Sequence, residues 1–148
     1  MIEQSASEKE IRTLAASSYN AAYEAVESGE EPLRALELAA ASLHLWRKVG
    51  NDQNLSIGYW LYSRSLVGAG NHLLAIEAAE KSLEHLSKIE NPADWLIASA
   101  HEGLARALVY ARDLRADAAI EKARQLIANI ADSDDRELIQ AQFSTISN

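Results

Sequence analysis

The chain contains no cysteine, two prolines and six glycines among its 148 residues. Without cysteine it forms no disulfide, offers no thiolate to a metal and has no cysteine nucleophile. The scarcity of proline and glycine leaves long stretches free of the residues that interrupt helices. Because 48% of the residues are hydrophobic, the composition favours a folded, helix-rich protein over a disordered one.

Long hydrophobic runs and basic clusters are missing as well. No run of about eighteen apolar residues is present to span a membrane, and the first thirty residues predict no signal peptide. The formal net charge is −8, from 14 basic and 22 acidic residues, whereas nucleic-acid binding requires clustered basic residues. We therefore expect one cytoplasmic domain over residues 1–148, without a membrane or nucleic-acid partner.

Residues with catalytic or metal-binding potential are scattered along the chain. No two of the four histidines lie four residues apart, so they lack the spacing of metal ligands on a helix. Gly68 and Gly70 flank a predicted helix end and follow no strand, which excludes a phosphate-binding glycine loop. We expect a protein that is not an enzyme and has no catalytic residue, no metal and no cofactor.

The stretch from Ser56 to Ile89 predicts two antiparallel helices joined at Gly70 and Asn71. In its second half, apolar residues recur at steps of three and four, and charged residues lie off that stripe. Gly70 tolerates the left-handed conformation that ends helices, and Asn71 is a favoured N-cap. In the first half, the consecutive bulky residues 59–62 predict a helix that is buried nearly all round or keeps one face for a ligand.

The flanking segments predict further helix pairs. The first hairpin covers about residues 7–50, the central one about 54–90 and the third about 92–131, followed by a C-terminal capping helix over about 134–146. Their predicted starts are a capping box at Ser7, Pro32 at a first helical position, Asn91 as an N-cap and a further cap at Asp134. The predicted fold class is all-α.

The second helix of the first hairpin is more apolar than a one-sided surface helix needs to be. Glu37 is the only charged residue between Ala35 and Trp46. Large apolar faces are seldom left in water. Two interpretations follow: neighbouring helices cover both apolar stripes, or this helix forms the interface of a homodimer.

Three segments align as imperfect copies of one unit. Each places a small residue near the start of its second helix, namely Ala35, Ala75 and Ala118, at spacings of 40 and 43 residues. Small residues at that point let two helices approach closely, and stacked helix pairs bury a continuous core. The pattern predicts a helical repeat protein.

The aligned residues resemble tetratricopeptide repeats. In the central hairpin, Tyr59, Tyr62 and Leu66 match the bulky positions of that family's first helix, Ser63 matches its small position, and Gly70-Asn71 matches its turn. The period exceeds the usual ~34 residues, so the resemblance is to long-repeat members, and a HEAT-type array with a period of ~40–47 residues is the competing architecture. The resemblance implies a right-handed α-α superhelix.

The resemblance also implies a concave groove, lined by the first helix of each hairpin, that commonly binds a peptide. Carried over by position, the candidate groove residues are Tyr19, Tyr23, Trp60, Arg64, Glu102, Arg106 and Tyr110. Two arginines beside aromatic rings would suit an extended segment that carries an acidic side chain. The other interpretation is that Tyr19, Tyr23 and Trp60 are core residues between helices.

The sequence therefore predicts a non-catalytic protein–protein interaction module that binds a peptide or protein segment in its groove. Two alternatives remain from the same residues. One is a homodimerisation module, and the other is a sensor domain for a small ligand or a peptide.

Overall fold

The computed structural model describes residues 6–146, and that range is all-helical, without a strand. The described residues form seven α-helices: α1 (Glu8–Ser28), α2 (Pro32–Val49), α3 (Asp52–Gly68), α4 (His72–Leu86), α5 (Asp94–Tyr110), α6 (Ala116–Ala128) and α7 (Ser133–Phe143). The all-α prediction is confirmed for this range.

Consecutive helices make the most extensive contacts, in the pairs α1 with α2, α3 with α4, and α5 with α6. α3 also contacts α1, α2 and α5, so neighbours surround it on several sides. Tyr59, Trp60 and Leu61, which point in different directions around α3, are all buried. This agrees with the first of the two predictions for the helix, burial nearly all round, and a face kept for a ligand stays a prediction.

Most helix ends follow the local signals in the sequence. The Ser7 hydroxyl caps α1, and Pro32 begins α2. Gly29 and Gly70 adopt positive φ angles of 67° and 81°, a conformation that a side chain would disfavour. Asn71 caps α4 by accepting a hydrogen bond from the Leu74 amide at 3.4 Å.

Two predicted N-caps are wrong. Asn91 does not cap α5, which begins at Asp94 after Ala93, because Asn91 takes the left-handed conformation with φ of 52° and belongs to the preceding turn. The cap of α7 is Asp132 instead of Asp134. α3 begins at Asp52, near the predicted start at about residue 54, and Asn51 forms a reciprocal capping box there.

Neighbouring helices cover much of the apolar surface of α2. It contacts α1 on one side and α3 on the other, which agrees with the interpretation that intramolecular packing accounts for its two stripes. Leu43 is buried, whereas Leu33 at the start of the helix remains 69% exposed. A homodimer through α2 stays a prediction.

The small residues predicted at the start of each second helix behave unequally. Ala35 and Ala75 are 2% and 0% exposed, as close helix contacts require. Ala118 is exposed, and Ala119 packs against the main core cluster in its place. The predicted position in α6 is therefore wrong by one residue.

Candidate functional site

The candidate groove residues lie on the three helices expected to line one face of the molecule. Tyr19 and Tyr23 are on α1, Trp60 and Arg64 on α3, and the remaining three on α5, namely Glu102, Arg106 and Tyr110. All of these residues except Tyr110 form one connected set of contacts, described below. Tyr110 lies elsewhere, with its ring centre 6.1 Å from that of His72.

Three aromatic rings form a continuous row from α1 to α3. The ring centres of Tyr19 and Tyr23 are 6.5 Å apart, and those of Tyr23 and Trp60 are 6.3 Å apart, with nearly parallel planes in both pairs. Tyr19 and Tyr23 are half-buried, and Trp60 is 6% exposed. The row fixes one wall of the site and ties α1 to α3.

A fully buried carboxylate joins α3 to α5. The Trp60 Nε1 donates a hydrogen bond to Glu102 Oε2 at 2.9 Å, and Arg106 donates to Glu102 Oε1 through Nε at 3.1 Å and Nη2 at 2.6 Å. Glu102 is 0% exposed. Both of its oxygens are therefore hydrogen-bonded, and one of them faces a positive charge, as a buried carboxylate requires.

The second arginine of the predicted groove is also paired inside the chain. Arg64 donates a hydrogen bond from Nη1 to Glu27 Oε1 at 2.8 Å, and its guanidinium carbon lies 5.3 Å from the centre of the Trp60 ring. Arg64 is 9% exposed. Both groove arginines thus have a carboxylate partner from this chain.

The end of α7 closes the far side of the site. Arg106 Nη2 donates to the Gln142 carbonyl at 2.7 Å and to the Thr145 hydroxyl at 2.8 Å. The Gln142 side chain in turn donates from Nε2 to the Tyr23 hydroxyl at 2.8 Å. α7 thereby connects α5 with α1.

A cavity of about 410 Å³, referred to below as the aromatic cavity, lies between α1, α3, α4, α5 and α7, and the aromatic row and Gln142 form part of its wall. Its walls are largely apolar and partly open to solvent. The lining residues are Tyr19, Asn20, Tyr23, Ser56, Ile57, Trp60, Ser82, Trp95, Leu96, Ser99, Ala100, Asp135, Leu138, Ile139 and Gln142. Its size falls within the ~300–1,000 Å³ usual for ligand sites.

Three of the other candidate residues, Arg64, Arg106 and Tyr110, line a different cavity of about 330 Å³, and Glu102 lines neither cavity. The predicted groove is thus divided between two cavities, with Tyr19, Tyr23 and Trp60 on one and Arg64, Arg106 and Tyr110 on the other. The aromatic cavity is the more apolar of the two.

The hydroxyl of Tyr19 is held in its neutral form. Burial, with the neighbouring Tyr23 hydroxyl as a second cause, raises the pKa of Tyr19 above the usual range, against a smaller opposing effect of Arg64. A phenol with a raised pKa stays protonated near neutral pH. Tyr19 therefore offers the cavity a hydrogen-bond donor and no negative charge.

The sequence carries no local signal for the cavity residues that α7 contributes. Asp135, Leu138 and Ile139 reach the site only because α7 packs on α5 and α6, a placement without a local signal. Trp95 was accessible to prediction, since it lies seven residues before Glu102, on the same helical face of α5.

Two further observations concern the described range. Residues 6–146 contain no group of three or more histidine, aspartate or glutamate side chains placed to hold a metal ion. None of the seven helices combines the length and the apolar character that crossing a bilayer demands.

Compared with protein-family models, with curated proteins and with solved structures, the chain matches none of them.

Proposed function

We propose that the protein is a non-catalytic interaction module that binds a peptide or protein segment, with one anchoring side chain of that segment in the aromatic cavity. The observation that carries the proposal is the cavity of about 410 Å³, which takes aromatic side chains from α1, α3 and α5. Concave, mostly apolar sites with a few polar groups are the usual form of binding pockets. Rigid aromatic side chains are also frequent binding anchors.

We further propose that the helix pairs are tetratricopeptide-like repeats, stacked as a right-handed superhelix of three hairpins with α7 as the C-terminal capping helix. The pairing of consecutive helices and the buried Ala35 and Ala75 support this assignment. In such a stack, α1, α3 and α5 would be the inner helices. This agrees with their shared position around the aromatic cavity.

The contacts of the two arginines favour the aromatic cavity over an arginine-lined groove as the binding site. Arg64 and Arg106 are both buried and each is paired with a carboxylate of this chain. An acidic ligand would have to displace Glu27 or Glu102, and leaving a buried charge unpaired is costly. The aromatic cavity can be entered without breaking either pair.

Filling the cavity should weaken peptide binding. Ser99 is half-buried on α5 and lines the cavity, so Ser99→Leu places a larger side chain where the ligand would lie. We expect octapeptides that the full chain retains from a random library to lose at least about tenfold in affinity, equivalent to about 1.4 kcal/mol. Fluorescence polarisation of the labelled peptides measures the change.

The matched control is Ala41→Leu, which adds a side chain of the same size at an exposed position of α2. It should bind as the wild-type chain does, and circular dichroism should confirm that both variants are folded. Two results would contradict the proposal: a library from which no peptide is retained, or a folded Ser99→Leu variant with unchanged affinity.

A further inference from the structure

One charged side chain lines the aromatic cavity. Among the lining residues, Asp135 alone carries a formal charge at neutral pH. It lies in the first turn of α7 and is half-buried. Its backbone amide donates to Asp132 Oδ1 at 2.9 Å, whereas its carboxylate makes no hydrogen bond or ion pair within residues 6–146. The carboxylate is therefore available to a ligand.

Three arginines on the helices around this site are engaged elsewhere. Arg136, next to Asp135, donates from Nη1 to the Ile130 carbonyl at 2.7 Å. Arg64 and Arg106 are paired with Glu27 and Glu102. Within the described part of the chain, no arginine or lysine forms an ion pair with the cavity carboxylate, so its charge is not neutralised internally.

The rest of the cavity wall suits the stem and the head of a long basic side chain. Tyr19, Tyr23, Trp60 and Trp95 all contribute to it, and electron-rich aromatic rings attract cations that have lost part of their water. Lysine and arginine side chains carry an apolar stem behind the charged group. A cavity with apolar walls and one carboxylate matches both parts.

We infer that the segment bound in the aromatic cavity is anchored by a lysine or arginine side chain, whose charge pairs with Asp135. The inference rests on the proposed peptide-binding function and names the chemistry of the anchor. The net charge of −8 also favours a basic segment. A negatively charged protein attracts cationic segments and accelerates their association at low salt.

The test uses four octapeptide libraries that differ in one central position, which is fixed as arginine, citrulline, glutamate or leucine. Citrulline has nearly the shape of arginine without its charge. We expect the full chain to retain the arginine library most, by at least about fivefold over the citrulline library, as one charge-assisted hydrogen bond predicts. Affinity selection followed by mass spectrometry measures the retained amounts.

The role of Asp135 is tested with the best arginine peptide and its citrulline counterpart. Asp135→Asn should weaken binding of the arginine peptide about tenfold, as loss of one partly buried ion pair predicts, and change the citrulline peptide less than about twofold. The matched control is Asp134→Asn, the exposed neighbour in the same helical turn. This substitution changes the net charge and the charge at the helix end as Asp135→Asn does. Because Asp134 does not line the cavity, the affinities for the arginine and the citrulline peptide should stay unchanged.

The outcomes separate the two proposals. If no library is retained, the peptide-binding function is overturned and the inference with it. If the glutamate, leucine or citrulline library is retained as well as the arginine library, peptide binding stands and the basic anchor is overturned. If Asp135→Asn and Asp134→Asn weaken the arginine peptide equally, the charge acts at long range and the assigned pairing with Asp135 is wrong.

Discussion

Replacing Glu102 with leucine should lower the free energy of unfolding by about 3–5 kcal/mol, because it leaves a buried guanidinium without its counter-charge. Glu102 is 0% exposed and accepts hydrogen bonds from both Trp60 and Arg106. Leucine accepts neither. The indole N–H of Trp60 and the charge of Arg106 would then be buried with fewer partners, and Arg106 would keep only its contacts to the end of α7.

Urea denaturation, followed by circular dichroism, measures this loss as a shift of the midpoint. Glu102→Gln, which keeps the size and one acceptor but removes the charge, should fall between the wild-type chain and Glu102→Leu. As a matched control, Glu80→Leu removes a carboxylate from the exposed Arg115–Glu80 pair, and exposed pairs contribute little. A Glu102→Leu midpoint equal to that of Glu80→Leu would contradict the buried network.

This network shows what the sequence could not provide about the site. Trp60, Glu102 and Arg106 were predicted as groove residues from the resemblance to tetratricopeptide repeats, and the structure places them in mutual contact. Their pairing depends on how α3 and α5 are set against each other, over a separation of 42 residues between Trp60 and Glu102. Helical periodicity predicts on which face of its helix a residue lies, but it does not predict which residue of another helix it contacts.

Helix boundaries were predictable where the backbone preference of a single residue determines them. Gly29, Pro32 and Gly70 act through their own backbone preferences, and each marks a boundary in the structure. Asn91 failed as a signal because asparagine serves equally as an N-cap and as a left-handed turn residue. The one-residue error at Ala118 has a related cause, since the turn before α6 contains neither glycine nor proline to fix its length.

The position of α7 depends on contacts that are distant in the sequence, so no local pattern predicts it. Its side chain Gln142 hydrogen-bonds to Tyr23, 119 residues earlier in the chain, and its residue Ile139 is buried with Ala98 and Ile127. These contacts place Asp135 on the cavity wall. The charge of the candidate site is therefore set by the final helix, whereas the repeat pattern pointed to the arginines of α3 and α5.

Changing Gly103 to alanine should destabilise the protein by about 2 kcal/mol, although alanine is the better helix former. A Cβ at this position of α5 would lie 2.7 Å from Cδ1 of Trp60 and 3.3 Å from its Nε1. The Trp60 ring has little freedom to retreat, because its Nε1 is hydrogen-bonded to Glu102 and Tyr23 stacks beside it. We take an overpacking cost of about 3 kcal/mol, offset by about 1 kcal/mol of helix propensity.

Gly68 provides the matched control, since it is also a helical glycine but a Cβ there would meet nothing within 4 Å. Gly68→Ala should raise the free energy of unfolding by about 0.5–1 kcal/mol through helix propensity and loss of unfolded-state freedom. The two substitutions should thus shift the urea midpoint in opposite directions. If Gly103→Ala also raised the midpoint, Trp60 would have room to move, and the aromatic cavity would lack the rigid wall that anchoring a side chain requires.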